Sequence, residues 1–451
     1  VLIARRIARV IVFVTCGAVA GTARPAGAQT LAQFPVQFDF LTPGARSMAL
    51  GGAYIGAADD ATAAFTNPGG LAFFGMRQIS GELRIRRLDT PFLSAGRISG
   101  NVTGLGEDTI AGPLYGHDID TSVSPSFLAV VFPVSAQRLS IAAYRHVLAD
   151  IENNFFSRGP FERVTFFGLT DDRARETPIG GTREVRITNY GGSVAYEWGN
   201  VGLGGGVTLS VFRLASEFHR FGFETTIFGA PDRDLIGSTN TEDGDDVAVT
   251  GNVGALWRAH PQLTVGATFR RGPAFDFTRR DRLTGDAFDV SRDGRFKVPD
   301  VFGVGINWSG LPHTRVVFDY DRVQYSQLKE DFINYQTVVS AQTGSVDRAP
   351  SLVIDDANEW HGGVEYRHRW FERDMAIRGG AWWDPDHTVR YEPTGADTEV
   401  DTLFEATLPG GESVMHYTFG AAVSISGNVL DAAADLSSRT KSMTVSFLFR
   451  F

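Results

Sequence analysis

Apolar and polar residues alternate along most of this chain with a period of two. Val247, Val249, Val253, Ala255 and Trp257 alternate with Ala248, Thr250, Asn252, Gly254 and Arg258. Leu263, Val265, Ala267 and Phe269 alternate with Thr264, Gly266, Thr268 and Arg270. Val364, Tyr366, His368 and Trp370 do so with Glu365, Arg367 and Arg369, and Met415, Tyr417, Phe419, Ala421, Val423 and Ile425 with His416, Thr418, Gly420 and Ser424. Successive side chains on a strand point to opposite faces, so each run predicts a strand with one apolar side. Similar runs begin near Ile79, Phe127, Leu139, Tyr190, Val201, Phe302, Val316, Met375 and Val429, and a last one ends at Phe451. The total is about fourteen, an even number, each near the roughly 9–11 residues of a tilted membrane strand.

The gaps separate into two kinds. Gly199-Asn200, His260-Pro261, Ser309–Pro312 and Phe371-Glu372 read as tight turns. Between them lie polar, Gly- and Asp-rich stretches at 89–121, 150–182, 216–245, 276–300, 327–357 and 385–413, which read as long loops. Short turns on one side and long loops on the other are the habit of outer-membrane barrels, whereas a soluble sandwich rarely sorts its loop lengths so regularly. The predicted fold class is therefore all-β: a 14-stranded antiparallel transmembrane β-barrel with an N-terminal hatch plugging the lumen. Trp198, Trp257, Trp308, Trp370 and Trp383 stand at or near strand ends, where a membrane interface favours them. The other face carries Glu197, Arg258, Arg270, Asp319, Asp321, Glu365, Arg367, Arg369 and Arg378, charges expected to line the interior and pair across strands.

Composition narrows the picture further. With 43% hydrophobic residues the chain is no disordered segment, and its single cysteine cannot make an internal disulfide. Outside the N-terminus no uninterrupted apolar run reaches the roughly 18 residues of a spanning helix. A formal charge of −10 gives no reason to expect a nucleic-acid partner. Residues 1–28 read as a secretory signal peptide: basic Arg5, Arg6 and Arg9, an apolar stretch from Val10 to Gly21, and Ala26-Gly27-Ala28 as cleavage site. Residues 29–76 are then the hatch, and 77–451 the barrel with its long extracellular loops.

The hatch segment contains Gly44-Ala-Arg-Ser-Met-Ala-Leu-Gly51-Gly52-Ala, then Asp59-Asp60-Ala-Thr-Ala-Ala, then Asn67-Pro68-Gly69-Gly70. Its small residues pack compactly, and the aspartates predict an N-capped short helix ending before Asn67-Pro68. A barrel of this size has a lumen too wide for its own side chains, so the segment belongs inside it. These motifs resemble the hatch of the long-chain fatty-acid transporter (FadL/TodX) family. The resemblance continues through Val298-Pro299-Asp300-Val-Phe-Gly-Val-Gly-Ile-Asn, Phe318-Asp-Tyr-Asp321 with Tyr325-Ser-Gln-Leu, and Trp360-His-Gly-Gly-Val-Glu-Tyr. Where the family hatch usually reads Asn-Pro-Ala, Gly69 follows Pro68 here. The resemblance implies an outer-membrane barrel that passively admits hydrophobic compounds such as long-chain fatty acids or hydrocarbons. It also implies sideways exit through the wall beside a kinked strand, for which Gly191-Gly192 or Gly204–Gly206 are candidate bends. The hatch text also resembles barrels that anchor or assemble with protein-secretion systems, which is the alternative function. Expected partners are a hydrophobic small molecule, outer-membrane lipid and lipopolysaccharide, and the barrel-insertion machinery. For the last, Phe447, Phe449 and Phe451 resemble the C-terminal insertion signal.

Two groups of residues are candidates for function. Phe155, Phe156, Phe161, Phe166 and Phe167, amid polar neighbours, suggest a loop that captures greasy ligand at the external face. Gly51, Gly52, Asp59, Asp60, Asn67, Pro68, Gly69 and Gly70 are the candidate gate. Catalysis is not expected: there is no Gly-x-Ser-x-Gly elbow, His361 and His368 lack a zinc-hydrolase arrangement, and no cofactor motif stands out. No metal site is expected either, since Glu242-Asp243-Gly244-Asp245-Asp246 lacks EF-hand spacing and reads as a solvated acidic loop.

Overall fold

The alternating segments pair into a sheet that closes on itself. The computed structural model describes residues 38–134, 138–166, 169–176, 178–221, 236–283, 289–328, 352–393, 395 and 398–451. The signal peptide expected at 1–28 and the start of the expected hatch lie outside these residues. Strands β1 (Gln78–Gly96), β2 (Pro113–Val134) and β3 (Leu139–Ser157) precede a small hairpin of β4 (Phe161–Phe166) and β5 (Leu169–Arg175). Then come β6 (Ile179–Trp198), β7 (Val201–Phe221), β8 (Ile236–His260), β9 (Leu263–Arg270), β10 (Ala274–Leu283), β11 (Asp289–Lys297), β12 (Val301–Leu311) and β13 (Thr314–Val323). The chain finishes with β14 (Leu352–Val353), β15 (Ala357–Trp370), β16 (Arg373–Asp384), β17 (Arg390–Tyr391), β18 (Val414–Ile425), β19 (Asn428–Leu436) and β20 (Thr440–Arg450).

Neighbours run β8–β7–β6–β3–β2–β1–β20–β19–β18–β16–β15–β13–β12–β9, and β9 pairs back onto β8, giving a closed antiparallel barrel of 14 strands. The terminal strand β20 pairs with β1 from Gln78↔Arg450 to Leu88↔Thr440, so the ring has no free edge there. The apolar half of the sequence pattern points outward: Val207, Val249, Val253, Tyr417 and Phe419 are all more than half exposed. The polar half points inward, where Glu365, Asp319, Arg378 and His416 are buried. Tight turns at Gly199-Asn200 and Phe371-Glu372 close one end, as expected, and the turns expected at His260-Pro261 and Ser309–Pro312 fall at Pro261-Gln262 and Pro312-His313.

The expected long loops are shorter than they read. Of residues 150–182, Asp150–Ser157 prolong β3, two segments form β4 and β5, and Ile179 already begins β6. The acidic run Glu242–Asp246 is no loop: it lies in β8, paired to Phe212–Ser216 of β7, with Glu242 buried 2.9 Å from Arg183. The reason is that ladders end where backbone partners run out, and polar strands that pair with each other can continue past the apolar band.

The glycines that were candidate bends show no break in the β6–β7 ladder. β6 and β7 pair without interruption from Ile179↔Arg220 to Trp198↔Val201, through both Gly191-Gly192 and Gly204–Gly206. Register shifts fall elsewhere, in β1 for example, and one of them lies in β3 between Val147 and Ala149 against β6, while the pairing of β3 to β2 stops at Phe127↔His146. A second break separates β9 from β10 and β11 from β12. There Lys297 Nζ donates to the Gly272 carbonyl at 2.8 Å and pairs with Asp300 at 2.6 Å, and Asp300 accepts the Gly272 N–H at 2.8 Å.

Candidate functional site

The hatch fills the lumen at the level where the wall is made of glycine. A Cβ at Gly363 would lie 2.6 Å from the Leu50 carbonyl, and one at Gly204, Gly254, Gly266 or Gly380 would overlap the backbone or side chain of Pro68, Asn67, Ile55 or Gly51. Without side chains at these positions, the hatch backbone lies directly on the sheet. Gly51 and Gly52 take φ of 70° and 80°, the left-handed region that a Cβ disfavours.

Polar groups fix the hatch in that seat. Asp319 of β13 is buried, and one oxygen accepts the backbone N–H of Tyr54 at 2.5 Å and of Ile55 at 2.6 Å. The Gly51 carbonyl accepts from His361 Nδ1 at 2.7 Å, and the Gly51 N–H donates to Thr418 Oγ1 at 2.9 Å. Asn67 donates to the carbonyls of Ile55 at 2.9 Å and Ala255 at 3.1 Å while its own oxygen accepts the Gly69 N–H. Asp60 accepts from the Thr62 backbone and hydroxyl, and the short helix Ala63–Thr66 follows where the sequence predicted one, but its N-cap is Thr62, without a side-chain capping hydrogen bond, and not an aspartate.

Arg46, which the sequence reading passed over, ties hatch to wall by charge. Its guanidinium reaches Asp59 at 2.5 Å and both oxygens of Glu365 at 3.2 and 3.3 Å. Glu365 also binds Arg378 at 2.6 Å and Arg367 at 2.7 Å, and Arg378 continues to Asp431. Asp59 takes a second partner, Arg315, at 2.9 Å. Burial alone would raise the Asp59 pKa, but the two arginines hold its carboxyl well below the usual range. Of the interior charges read from the sequence, Glu365 and Arg378 pair across strands here, Arg367 pairs with Glu365 along its own strand, Asp319 binds hatch backbone, and Arg369 is exposed.

Above the hatch lies a cavity of about 120 Å³. One side is apolar: Phe38, Phe40 and Phe65 of the hatch segment, with Leu148, Val301 and Val323 of the wall. Beyond it Phe38, Phe296, Phe212 and Phe275 stack in series, with centroids 5.8, 5.3 and 4.6 Å apart. The other side is polar and is carried by β13, β15, β16 and β18, with His361, Trp382 and His416 among its residues. Leu148 sits in the β3 irregularity, and its carbonyl accepts the Leu41 N–H at 2.9 Å, so hatch and bent strand meet at the cavity rim.

The candidate gate residues Gly51, Gly52, Asp59, Asp60, Asn67, Pro68, Gly69 and Gly70 thus come together as the seated hatch. The capture residues do not form one patch. Phe155 points into the lumen with Phe92 and Phe218, while its neighbour Phe156 points outward against Phe221. Phe161 lies beneath the guanidinium groups of Arg97 and Arg175, Phe166 ends β4, and Phe167 falls outside the described residues. Phe447, Phe449 and Phe451 share the outer face of the last strand. The alternating polar positions of β13, β15 and β16 were the signal for the polar wall. They could be placed only once strand register was known.

No family model matches the chain, and no curated protein sequence does. Solved structures do. A FadL homologue of Pseudomonas aeruginosa superposes with a TM-score of 0.59 at 14% identity, over 91% of this chain and 98% of that one. The P. putida toluene transporter TodX gives 0.56 at 13% identity, over 92% and 99%. The Ralstonia pickettii toluene transporter TbuX gives 0.53 at 16% identity, over 90% and 98%. The resemblance read from the hatch motifs therefore holds across almost the whole chain at the level of architecture: this protein has the fold of the FadL-type transporters.

Proposed function

We propose that this chain is an outer-membrane barrel through which small hydrophobic compounds cross passively, hydrocarbons in preference to long fatty acids. The observation that carries the reading is the cavity of about 120 Å³ between hatch and wall, with Phe38, Phe40, Phe65 and Leu148 on its apolar side. A dry protein cavity of about 150 Å³ holds benzene, so the space suits a single ring better than an extended acyl chain. The outward belt of Val, Tyr and Phe supports a lipid setting, because an apolar girdle of that extent in water would drive aggregation. The neighbours of like fold include proteins named as toluene transporters. Entry runs between the luminal phenylalanines, and the way out passes Leu148, where β2 and β3 part. Uptake of labelled toluene by cells that lack other hydrocarbon channels tests this. Expression of the chain raises the initial rate, and Leu148→Trp, which fills the rim, abolishes the gain. A rate unchanged by expression overturns the proposal.

A further inference from the structure

The cavity is not uniformly greasy, and its polar wall has an order that the passage of hydrocarbon does not require. Strand register puts Asp319, His361, Trp382 and His416 side by side in one lateral row, through the pairs Asp319↔His361, His361↔Trp382 and Trp382↔His416. Asp321 and Glu359 are paired in the row above, and Asp384 follows Trp382 on the same face. The Trp382 ring lies between two imidazoles, with centroids 5.3 Å from His361 and 3.9 Å from His416.

Hydrogen-bonding capacity is left over in this wall. His361 Nδ1 is committed to the Gly51 carbonyl. Its Nε2 is 3.5 Å from Glu359 and 3.7 Å from Asp321, too far for a good hydrogen bond, and has no such partner among the described residues. Asn252 Oδ1, of β8 and lining the same cavity, also has none. Asp384 Oδ1 approaches His387 Nδ1 at 3.2 Å without hydrogen-bond geometry. His361, Asn252 and Asp384 are each more than nine-tenths buried, and all three line the same cavity. A buried polar atom without a partner carries a penalty that a ligand with the right group relieves.

The lining contains charges of both signs, Asp321, Glu359 and Asp384 facing Arg270, Arg271 and the imidazoles. A free ion meets attraction and repulsion together in such a field, whereas a hydroxyl can donate to one group and accept from another. Because Nδ1 donates to a carbonyl, a neutral His361 offers a lone pair at Nε2, and a charged one offers an N–H. A hydroxyl serves either form.

We propose that the preferred occupant is a single-ring compound bearing a neutral hydroxyl, a phenol. Its ring would lie on Phe65 and Leu148 and its hydroxyl would point to the β13–β16 wall at His361. This rests on the channel reading and narrows it. The test uses the full chain, purified in detergent, with saturation binding of p-cresol, toluene and benzoate followed by tryptophan fluorescence. The expected order is p-cresol about tenfold tighter than toluene, equivalent to about 1.4 kcal/mol, with benzoate weaker than p-cresol. His361→Leu should bring p-cresol down to the affinity of toluene measured on the same variant. Should that change also unseat the hatch, Asp384→Ala, which touches no hatch residue, is expected to give the same loss of preference. Toluene binding as tightly as p-cresol overturns the phenol assignment and leaves the channel reading standing. Saturable binding of neither overturns both, and a tenfold preference that survives both substitutions overturns the placement of the hydroxyl.

Discussion

Asp319→Ala should loosen the hatch without unfolding the barrel. The Asp319 carboxylate is the only group in the described residues to which both the Tyr54 and Ile55 N–H groups donate, at 2.5 and 2.6 Å. Its removal leaves two buried donors unsatisfied, each costing about 1–3 kcal/mol, or roughly 2–6 kcal/mol together. Water entering the space left by the carboxylate draws the cost to the low end, about 3 kcal/mol. At 1.4 kcal/mol per factor of ten, the unseated hatch becomes roughly 150 times more populated. The ladder of β13 is untouched, since its pairings with β12 and β15 run through backbone groups. The assay is ion conductance in planar bilayers: frequent openings in the variant against a closed parent, with the thermal unfolding of the barrel nearly unmoved. Asp321→Ala is the matched control. It lies two residues on, on the same luminal face, and makes no hydrogen bond to the hatch, so it should stay closed. A variant at Asp319 that remains as closed as the parent, or an Asp321 variant that leaks equally, refutes the anchoring role.

Other outcomes follow from the same geometry. Gly363→Ala should unseat the hatch and leak in the same bilayer assay, because its Cβ would meet the Leu50 carbonyl at 2.6 Å, whereas Gly362→Ala, with nothing nearer than 3.9 Å, should be silent. Glu365→Ala removes the acid that three guanidinium groups share, although Arg46 keeps Asp59 and Arg378 keeps Asp431, and should lower stability by about 1–3 kcal/mol in thermal unfolding. Burial opposes charge on His387 in the loop after β16, but Asp384 outweighs it and pushes the pKa up to about 9. A raised folded pKa stabilises fully below the ordinary value of about 6.5 and is lost as pH rises through 9. The melting temperature should therefore fall between pH 7 and 10, and the fall should vanish in His387→Phe. Phe155→Ser should destabilise by about 3–5 kcal/mol as a luminal cluster residue, while Phe156→Ser, pointing outward, should have little effect.

The barrel was legible because period-two alternation states both that a segment is a strand and which face is apolar. Val249 and Val253 already pointed away from Asn252 in the sequence, and they do so in the structure. Strand ends were not legible, since Glu242–Asp246 carries every mark of a loop yet pairs with β7. Gly204 was a candidate either for a bend or for close packing; it is a seat against which Pro68 lies flush, and nothing local in the sequence distinguishes the two. The register shift at Val147–Ala149 contains neither glycine nor proline, and lies where β3 leaves β2 and hydrogen-bonds to the hatch through Leu148. Asp319 and Glu365 were visible as interior charges, but their partners Tyr54, Ile55 and Arg46 lie more than 260 residues away in sequence. The polar wall needed three strand registers before His361, Trp382 and His416 became neighbours.

The most direct test of the account is whether the cavity above the hatch is a binding site at all. Equilibrium binding of labelled toluene to the detergent-purified barrel should reveal one saturable site per chain. Ser210→Trp, placing an indole in the cavity from the luminal face of β7, should eliminate it while the barrel keeps its unfolding temperature. Toluene that partitions without saturation, or that binds the filled variant as well as the parent, contradicts the account.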